Sequence, residues 1–213
     1  MAANPDARHR PLLVAVEGID GSGKTTLTGS LTDALAQRGI CVTGHREPSD
    51  GPAGRLLRSL SQEGGDRDPM MLALLSTADR YDRQAQFAQQ DGIAVSDRYY
   101  LSGLAYHAAD GVNPLRYQRL NADVRRPDLY LFLHLDPEIA AGRLGNRARD
   151  RWERGDIATR IPQAYQAALR LVQATENAQV VQLDAAAAPR NVLGQALTIL
   201  APLITETEGA LHG

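Results

Sequence analysis

Residues 12–26 read LLVAVEGIDGSGKTT and join an apolar run of strand length to a glycine-rich loop. The loop, from Gly18 to Thr25, fits the pattern G-x-x-x-x-G-K-T, in which backbone amides and one lysine hold phosphate groups. Leucines follow at positions 27, 31 and 35, a spacing that is typical of a helix. A strand, a glycine-rich loop and a helix in this order predict a phosphate-binding P-loop rather than a chance turn.

The chain of 213 residues contains 23 lysines and arginines in total. Lys24 is the only lysine, and all the others are arginines. An ammonium group is a compact point charge, and the planar guanidinium does not replace it between the phosphates of a nucleotide. The lysine therefore supports nucleotide binding, with the Thr25 hydroxyl as a ligand of Mg²⁺. The predicted nucleotide-binding residues are Gly18, Ile19, Asp20, Gly21, Ser22, Gly23, Lys24, Thr25 and Thr26.

Apolar runs of strand length alternate with helical patterns along the chain. The predicted strands are Leu12–Glu17, Ile40–Gly44, Ile93–Asp97, Leu129–Asp136 and Gln179–Asp184. The predicted helices are Thr25–Arg38, Pro52–Ser61, Pro69–Gln90, Pro114–Val124, Pro137–Arg149, Ile161–Asn177 and Pro189 to about Ile204. This alternation predicts a three-layer α/β sandwich typical of P-loop NTPases, in which helices flank a five-stranded parallel sheet.

The length suits one domain over residues 12–205, with a flexible N-terminal arm at 1–11 and a tail at 206–213. A net charge of −2 argues against a nucleic-acid partner. No stretch approaches 18 consecutive apolar residues, so no membrane partner is expected. The single cysteine, Cys41, excludes an internal disulfide, favours a cytoplasmic location and is expected to be a small buried side chain of a strand.

Charged side chains stand at or near the predicted carboxyl ends of the strands, where ligands bind in parallel α/β sheets. Asp20 lies in the loop itself, as a partner of a metal or a substrate hydroxyl or as a loop cap. Asp97 ends the third strand and resembles a metal-ordering acid, unless it is a structural ion-pair partner of Arg98. Arg46, Arg80 and Arg98 together suggest a clamp for a second phosphate, because guanidinium groups pair with phosphoryl oxygens two at a time.

The densest charge cluster falls in residues 143–157, after the fourth predicted strand and its helix. It contains Arg143, Arg147, Arg149, Asp150, Arg151, Glu153 and Arg154. A charged surface helix is one interpretation of such a run. Together with a P-loop, it also predicts an arginine-rich lid that closes over nucleotides and excludes water.

Six motifs in order resemble those of the thymidylate kinases, and the similarity extends from about Leu12 to Asp184. The motifs are Val16–Thr26, Arg46-Glu47-Pro48, Ala78-Asp79-Arg80, Ser96-Asp97-Arg98-Tyr99, Arg126-Pro127-Asp128-Leu129 and Leu135-Asp136-Pro137-Glu138. The resemblance implies a cytoplasmic homodimer that uses ATP and Mg²⁺ to phosphorylate a deoxynucleoside 5′-monophosphate, dTMP above all.

The resemblance also implies roles for individual residues. The catalytic set would be Lys24, Asp20, Arg98, Arg147, Arg149 and Arg151. The substrate-binding set would be Asp20, Arg46, Glu47, Pro48, Ser76, Arg80, Arg98, Tyr99 and Tyr106. Metal binding would fall to Thr25, Asp97, Asp20 and Glu153.

Position 76 departs from the family pattern, in which a phenylalanine stacks on the thymine ring. Here it is Ser76, and an aromatic stack on a base is worth roughly 1–3 kcal/mol. Two alternatives therefore stay open beside a dTMP kinase. One is a kinase for a different or modified pyrimidine deoxynucleotide, and the other is an inactive nucleotide-binding regulatory protein.

Overall fold

A five-stranded parallel sheet lies at the centre of the fold in the computed structural model, which describes residues 10–63, 65–145, 150–176 and 179–211. The strands are β1 (Leu12–Glu17), β2 (Val42–Arg46), β3 (Ile93–Asp97), β4 (Leu129–His134) and β5 (Gln179–Asp184). The helices are α1 (Lys24–Ala36), α2 (Pro52–Glu63), α3 (Pro69–Ala88), α4 (Tyr100–Ala109), α5 (Pro114–Leu120), α6 (Pro137–Leu144), α7 (Gly155–Thr175) and α8 (Pro189–Leu211), with a 3₁₀ helix at Arg151–Glu153 between α6 and α7.

The strand order is β2-β3-β1-β4-β5, and every neighbouring pair is parallel. β1 is therefore the central strand, and the loop that follows it leaves the middle of the sheet. Val16 is in register with Asp97, and Arg46 is in register with Asp97 from the other side. The carboxyl ends of β1, β2 and β3 thus meet at one edge, which confirms the predicted α/β fold.

Each face of the sheet carries its own apolar core, because side chains alternate along every strand. On β1, Leu13 and Ala15 face one core, which also contains residues of α3, α4 and α7. Leu12, Val14 and Val16 face the other core, which contains residues of α1 and α8. Two helical layers around one sheet give the predicted three layers.

In three of the helices that begin with proline, the preceding aspartate or asparagine caps the helix with its side chain. Asp68, Asn113 and Asp136 accept hydrogen bonds from the backbone N–H groups of α3, α5 and α6, respectively. Proline in the first turn has no N–H group to leave unpaired. The start predicted at Asp136-Pro137 is confirmed.

β2 begins at Val42, two positions later than predicted, and extends to Arg46. Cys41 precedes the strand and is exposed, so the prediction of a buried strand cysteine was wrong. β2 is an edge strand, and while Ile40 and Val42 pack against the core beside α1, Cys41 between them does not.

α4 was missed by sequence analysis because nine of its ten residues are buried. A helix that is buried on all sides shows no apolar stripe for the 3.6-residue period to detect. α7 begins at Gly155 rather than at Ile161, with Pro162 inside it. α8 continues to Leu211, beyond the expected end near Ile204. Within the described ranges, no helix combines the length and apolar character needed to cross a membrane.

Candidate functional site

The loop after β1 has the geometry of an anion-binding nest. Gly18, Gly21 and Gly23 have φ values of 144°, 82° and 94°, which side chains rarely permit. A Cβ atom on Gly21 would lie 2.6 Å from the carbonyl oxygen of Ala140, and one on Gly18 would lie 2.7 Å from that of Leu133. The loop can approach Leu133 and Ala140 this closely only because these positions are glycines. Helix α1 begins at Lys24, so the backbone amides of the loop and the positive end of the helix dipole lie at the same cleft.

Lys24 is 5% exposed, and its Nζ atom donates a hydrogen bond of 2.8 Å to the carbonyl oxygen of Ile19. It lies 3.6 Å from Oδ1 of Asp20. Burial, followed by the charge of Arg98, lowers the pKa of Lys24 to about 8, although nearby carboxylates act in the opposite direction. The ammonium group lines the P-loop cleft and is placed to pair with an incoming anion.

This pKa predicts that kcat/KM for ATP falls as the pH rises above about 8. The charged form of Lys24 attracts phosphate, and the charged form is the protonated one, so the loss occurs on the alkaline side. The measurement is a pH profile of kcat/KM at saturating acceptor. A profile that stays flat from pH 7 to roughly pH 10, the ordinary range for lysine, would contradict the depressed pKa.

Thr25 and Asp97 form the part of the site that fits a divalent cation. The Thr25 hydroxyl donates to Oδ2 of Asp97 over 2.5 Å. The other carboxylate oxygen of Asp97 is buried and has no hydrogen-bond partner within the described part of the chain. A hard cation such as Mg²⁺ takes oxygen ligands, keeps several waters and is commonly held by one or two carboxylates plus phosphate oxygens. The donor set here fits that ion.

The other two predicted metal ligands do not join this pair. Asp20 is engaged by Arg98 and Tyr106, and Glu153 lies in the capping box of the 3₁₀ helix. Among the residues that the structure describes, no three histidine, cysteine, aspartate or glutamate side chains form a metal-binding group. Of the four predicted metal ligands, only Thr25 and Asp97 contact each other in this conformation, while Asp20 lines the same cleft.

Arg98 links the loop to a second cavity. Its guanidinium donates to Oδ1 of Asp20, and the Tyr106 hydroxyl donates to the other oxygen of Asp20 over 2.8 Å. The guanidinium also lies 4.8 Å from the centre of the Tyr106 ring. The backbone of Arg98 has φ 68°, a left-handed conformation that costs a non-glycine residue about 1–2 kcal/mol. Its N–H donates to Val16 O over 2.9 Å, which fixes this turn against β1.

Glu17 supports the same turn and was missed as a site residue. It is fully buried, and its Oε1 atom accepts from the backbone N–H groups of Tyr99 and Ser102 over 3.0 and 3.1 Å. Its Oε2 atom accepts from the Ser102 hydroxyl. Burial raises the pKa of Glu17 to about 6, against the opposing effect of Ser102. A charged residue at the end of an apolar strand is the signal that could have identified it, since an unpaired buried carboxylate is costly.

Arg80 is 1% exposed and is fixed on all sides. It pairs through two nitrogens with Glu47, with the Nε contact at 2.9 Å. Its Nη1 atom donates to the Tyr117 hydroxyl over 3.1 Å and to Oδ1 of Asn121 over 2.7 Å. The Ser76 hydroxyl lies 2.6 Å from the same Tyr117 hydroxyl. Arg80 and Ser76 thus share one polar network on the wall of the second cavity.

Two cavities meet at this point. The P-loop cleft is lined by residues 20–27 and, among others, by Arg46, Asp97 and Arg143. The second, here called the acceptor cavity, is lined by Asp20, Glu47, Pro48, Leu57, Ser76, Asp79, Arg80, Arg98, Tyr99, Ser102, Gly103, Tyr106, His107, Asp150 and Trp152. Asp20, Glu47 and Arg98 line both cavities. The predicted substrate residues Pro48, Ser76, Arg80, Tyr99 and Tyr106 all line the acceptor cavity.

Arg46 is the one predicted substrate-binding residue that does not line the acceptor cavity, although it lines the P-loop cleft. Its guanidinium donates to Oδ1 of Asp50 over 2.6 Å, and its side chain is 57% exposed. The side chain of Arg46 thus turns to Asp50 rather than to the wall of the acceptor cavity. Arg80 is held by Glu47, Tyr117 and Asn121, so Arg98 alone of the expected three-arginine clamp lines both cavities.

The predicted catalytic arginines of the charge cluster divide into two groups. Arg147 and Arg149 lie outside the described residues. Arg151 pairs with the buried Asp110 through Nε and Nη2, both at 2.9 Å, and donates to the carbonyl oxygens of Gly65 and Arg67. These contacts place Arg151 away from the P-loop, so it does not join the predicted catalytic residues here. A sequence pattern cannot tell a catalytic arginine from one that a distant aspartate holds.

Arg143 was recognised only as part of the charge cluster, yet it lines the P-loop cleft. Its Nη1 atom donates to the carbonyl oxygen of Gly21 over 3.4 Å, and its Nη2 atom donates to that of Ala185 over 3.0 Å. Pro189 and Val192, from the start of α8, line the same cleft. This end of the cleft, beyond the phosphate-binding amides, offers an arginine and apolar side chains to a nucleoside.

Comparison with known proteins is consistent with this geometry. The family model described as thymidylate kinase matches residues 16–193. A protein of Pyrobaculum aerophilum named "Probable thymidylate kinase" is 37% identical over 184 residues, which cover 84% of this chain and 91% of that protein. A "Probable thymidylate kinase" of Pyrobaculum calidifontis is 41% identical over 72% of this chain and 80% of that protein. A "Thymidylate kinase" of Leptospira borgpetersenii is 30% identical over 90% and 94%.

Proposed function

The chain belongs to the thymidylate kinase family of phosphotransferases, and on that premise we propose that it transfers the γ-phosphoryl group of ATP to dTMP, giving dTDP and ADP. The observation that carries the proposal is the junction of the two cavities. Asp20 and Arg98 line both of them, so a triphosphate in one cleft and a monophosphate in the other would meet at these side chains. Such a junction is what phosphoryl transfer between two nucleotides requires.

The chemistry asks for positioning and charge neutralisation. An oxygen of the acceptor phosphate attacks the γ-phosphorus in line, and the bond to the oxygen of ADP breaks. That acceptor oxygen is already ionised near neutral pH, so no strong general base is needed. Lys24, the loop amides and Arg98 hold the two phosphate groups in place and offset their charge, which is the main catalytic contribution in this reaction class.

We propose Mg²⁺ as the metal, held by Thr25 and by the unpartnered oxygen of Asp97. When bound, the ion neutralises negative charge on the phosphate oxygens. Lys24 and Arg98 do the same from the protein side. We also propose that Arg147 and Arg149 supply further positive charge from the predicted lid. Tyr106, which donates a hydrogen bond to Asp20, is proposed to lie beside the sugar of the acceptor.

A kinase for a modified pyrimidine deoxynucleotide is the second candidate, and the contact between Ser76 and Tyr117 favours it. A serine hydroxyl thus lies on the cavity wall at the position where the family pattern has an aromatic ring. Purified protein is tested with ATP and dTMP, dUMP, dCMP or 5-substituted analogues, with the phosphorylated product separated by ion-exchange chromatography. Fast turnover of dTMP alone supports the first proposal, whereas preference for an analogue supports the second. If the protein binds ATP but phosphorylates none of these monophosphates, the remaining interpretation is an inactive nucleotide-binding regulatory protein.

We propose a homodimer that forms through the exposed face of α3. Met71, Leu74 and Tyr81 are spaced to lie on one side of that helix, and they are 37–49% exposed, next to the exposed Leu56 of α2. Sedimentation velocity is expected to give the mass of two chains for the natural protein and of one chain for Leu74→Glu. The control is Leu115→Glu on α5, which changes a leucine of similar exposure and is expected to stay dimeric. A monomeric natural protein would contradict the proposal.

A cytoplasmic location and the absence of nucleic-acid and membrane partners stay predictions. They are compatible with nucleotide substrates, which the proposed reaction takes from solution.

A further inference from the structure

Two residues that line the acceptor cavity each carry a ring nitrogen that has no hydrogen-bond partner among the described residues. The nitrogens are Nδ1 of His107 and Nε1 of Trp152, and both atoms are buried. The two residues are 3% and 7% exposed, and both line the acceptor cavity. Their rings lie 5.9 Å apart at 86°. Because buried polar atoms are nearly always paired, two orphan nitrogens on adjacent rings call for an explanation.

The register of α4 shows which end of the cavity these residues occupy. Ser102 and Tyr106, four residues apart, face the P-loop through Glu17 and Asp20. Gly103 and His107 lie one step around the helix. His107 is 5.1 Å from the Tyr117 ring, and Gly103 closely approaches the Tyr117 hydroxyl, which contacts Ser76. The cavity therefore runs from a phosphate end at Asp20 and Arg98 to an opposite end at Ser76 and His107.

We propose that Trp152 and His107 bind the base of the acceptor nucleotide through these two ring nitrogens, in place of the aromatic ring that position 76 does not supply. This inference rests on the proposed function and identifies residues that determine its base specificity. The indole N–H can only donate, so it requires a carbonyl oxygen of the base. Imidazole Nδ1 can pair with the neighbouring N–H or carbonyl group, depending on its tautomer. A pyrimidine-2,4-dione, the ring of thymine and uracil, presents both groups on one edge.

The charge state of His107 agrees with this role. Burial, followed by the charge of Arg80, lowers the pKa of His107 to about 3. The imidazole is therefore neutral at physiological pH and carries one donor and one acceptor nitrogen. A neutral ring suits an uncharged base better than it suits a phosphate group.

The backbone that carries Trp152 is held firmly in place. The carboxylate of Asp150 accepts from the backbone N–H of Trp152 over 2.9 Å, and Arg151 pairs with Asp110, which directly follows α4 as its C-cap. These contacts attach the 3₁₀ helix to the element that carries His107. We therefore assign Arg151 as a positioning residue that keeps Trp152 beside His107, rather than as a catalytic one.

Tryptophan fluorescence tests the proposal without relying on turnover, because Trp152 is the only tryptophan in the chain. Titration with dTMP in the absence of ATP is expected to give a saturable change in emission. Saturating 2-deoxyribose 5-phosphate, which carries the phosphate and sugar but no base, is expected to give little change. Equal changes from both compounds, or no change with a nucleotide that the enzyme turns over, would overturn the inference.

Variants separate the two hydrogen bonds from the packing of the rings. Trp152→Phe keeps an aromatic ring and loses the N–H group, and His107→Leu removes both imidazole nitrogens. Each is expected to raise the KM for dTMP about tenfold, the effect of one lost hydrogen bond, while the KM for ATP changes less than twofold. His107→Gln, which keeps a donor and an acceptor, is expected to recover part of the loss. His45→Gln is the control, since His45 is a buried histidine with two partners outside the acceptor cavity.

The outcomes distinguish this inference from the proposed function. A protein that shows the base-dependent emission change but no phosphoryl transfer would refute the function and leave the base contacts standing. Turnover of dTMP with an unchanged KM in Trp152→Phe and in folded His107→Leu would refute the base contacts and leave the function standing. If His107→Leu does not fold, Trp152→Phe and the titration decide alone.

Discussion

Lys24→Ala is expected to lower kcat for dTMP phosphorylation by roughly 10³-fold or more, the range seen when a cation or donor of the transition state is removed. The Nζ atom lies in the cleft formed by the loop amides, 2.8 Å from the carbonyl oxygen of Ile19, and its charge has no substitute from another lysine. Alanine leaves the loop glycines unchanged, so the fold is expected to persist. The measurement is kcat at saturating ATP and dTMP, with circular dichroism to verify the fold.

Two further variants make this result specific. Lys24→Arg keeps a positive charge but replaces a compact ammonium with a larger planar group in a side chain that is 5% exposed, and it is expected to remain strongly impaired. Arg38→Ala removes an exposed cation beyond the other end of α1 and is expected to retain full activity. A near-normal kcat for Lys24→Ala would contradict the proposed role of the P-loop lysine in phosphoryl transfer.

Arg98→Ala is expected to raise the KM for the acceptor by about 100-fold, since hydrogen bonds to a charged phosphate contribute about 1.5–3 kcal/mol. Arg98 joins the two cavities, where it also pairs with Asp20 and lies against the Tyr106 ring. The KM for ATP is expected to change by a much smaller factor, because Lys24 and the loop amides hold the donor. Initial rates with each substrate varied in turn give both constants.

Arg116→Ala serves as the matched control for Arg98, since Arg116 is an exposed arginine of α5 that lines neither cavity. Equal increases in both KM values for Arg98→Ala would indicate a structural arginine that holds Asp20 and the turn at φ 68°. A much larger increase in the KM for the acceptor than in the KM for ATP would show that Arg98 recognises the monophosphate rather than only supporting the fold.

Local sequence signals predicted much of the architecture. The bounds of β1, β3 and β5 agree with the sequence, because these runs combine apolar side chains with clear breaks at both ends. The P-loop and the start of α6 were predicted because each is a short contiguous pattern with its own hydrogen bonds. α4 and the start of α7 were not, since one is buried on all sides and the other contains Pro162.

In the candidate site, too, locally defined residues could be predicted, whereas residues that depend on distant contacts could not. Lys24, Thr25 and Asp97 could be predicted because the loop and the strand end that carry them are defined locally. Glu17 was missed because its partners, Tyr99 and Ser102, lie more than 80 positions away in the sequence. The metal role of Glu153 and the catalytic role of Arg151 were implied by the resemblance, whereas in the structure Glu153 accepts from the backbone N–H of Asp150 and Arg151 pairs with Asp110.

Neighbouring residues specify a nest of backbone amides and a buried strand, so the phosphate-binding loop and the parallel sheet could be predicted from the chain alone. Which charged side chains line the two cavities depends on contacts between residues that are distant in the sequence. Whether an arginine reaches a phosphate or an aspartate depends on contacts such as Arg151 with Asp110, across 41 positions of chain. In the same way, only packing brought Trp152 beside His107, since no periodic pattern encodes the contact between the 3₁₀ helix and the buried α4.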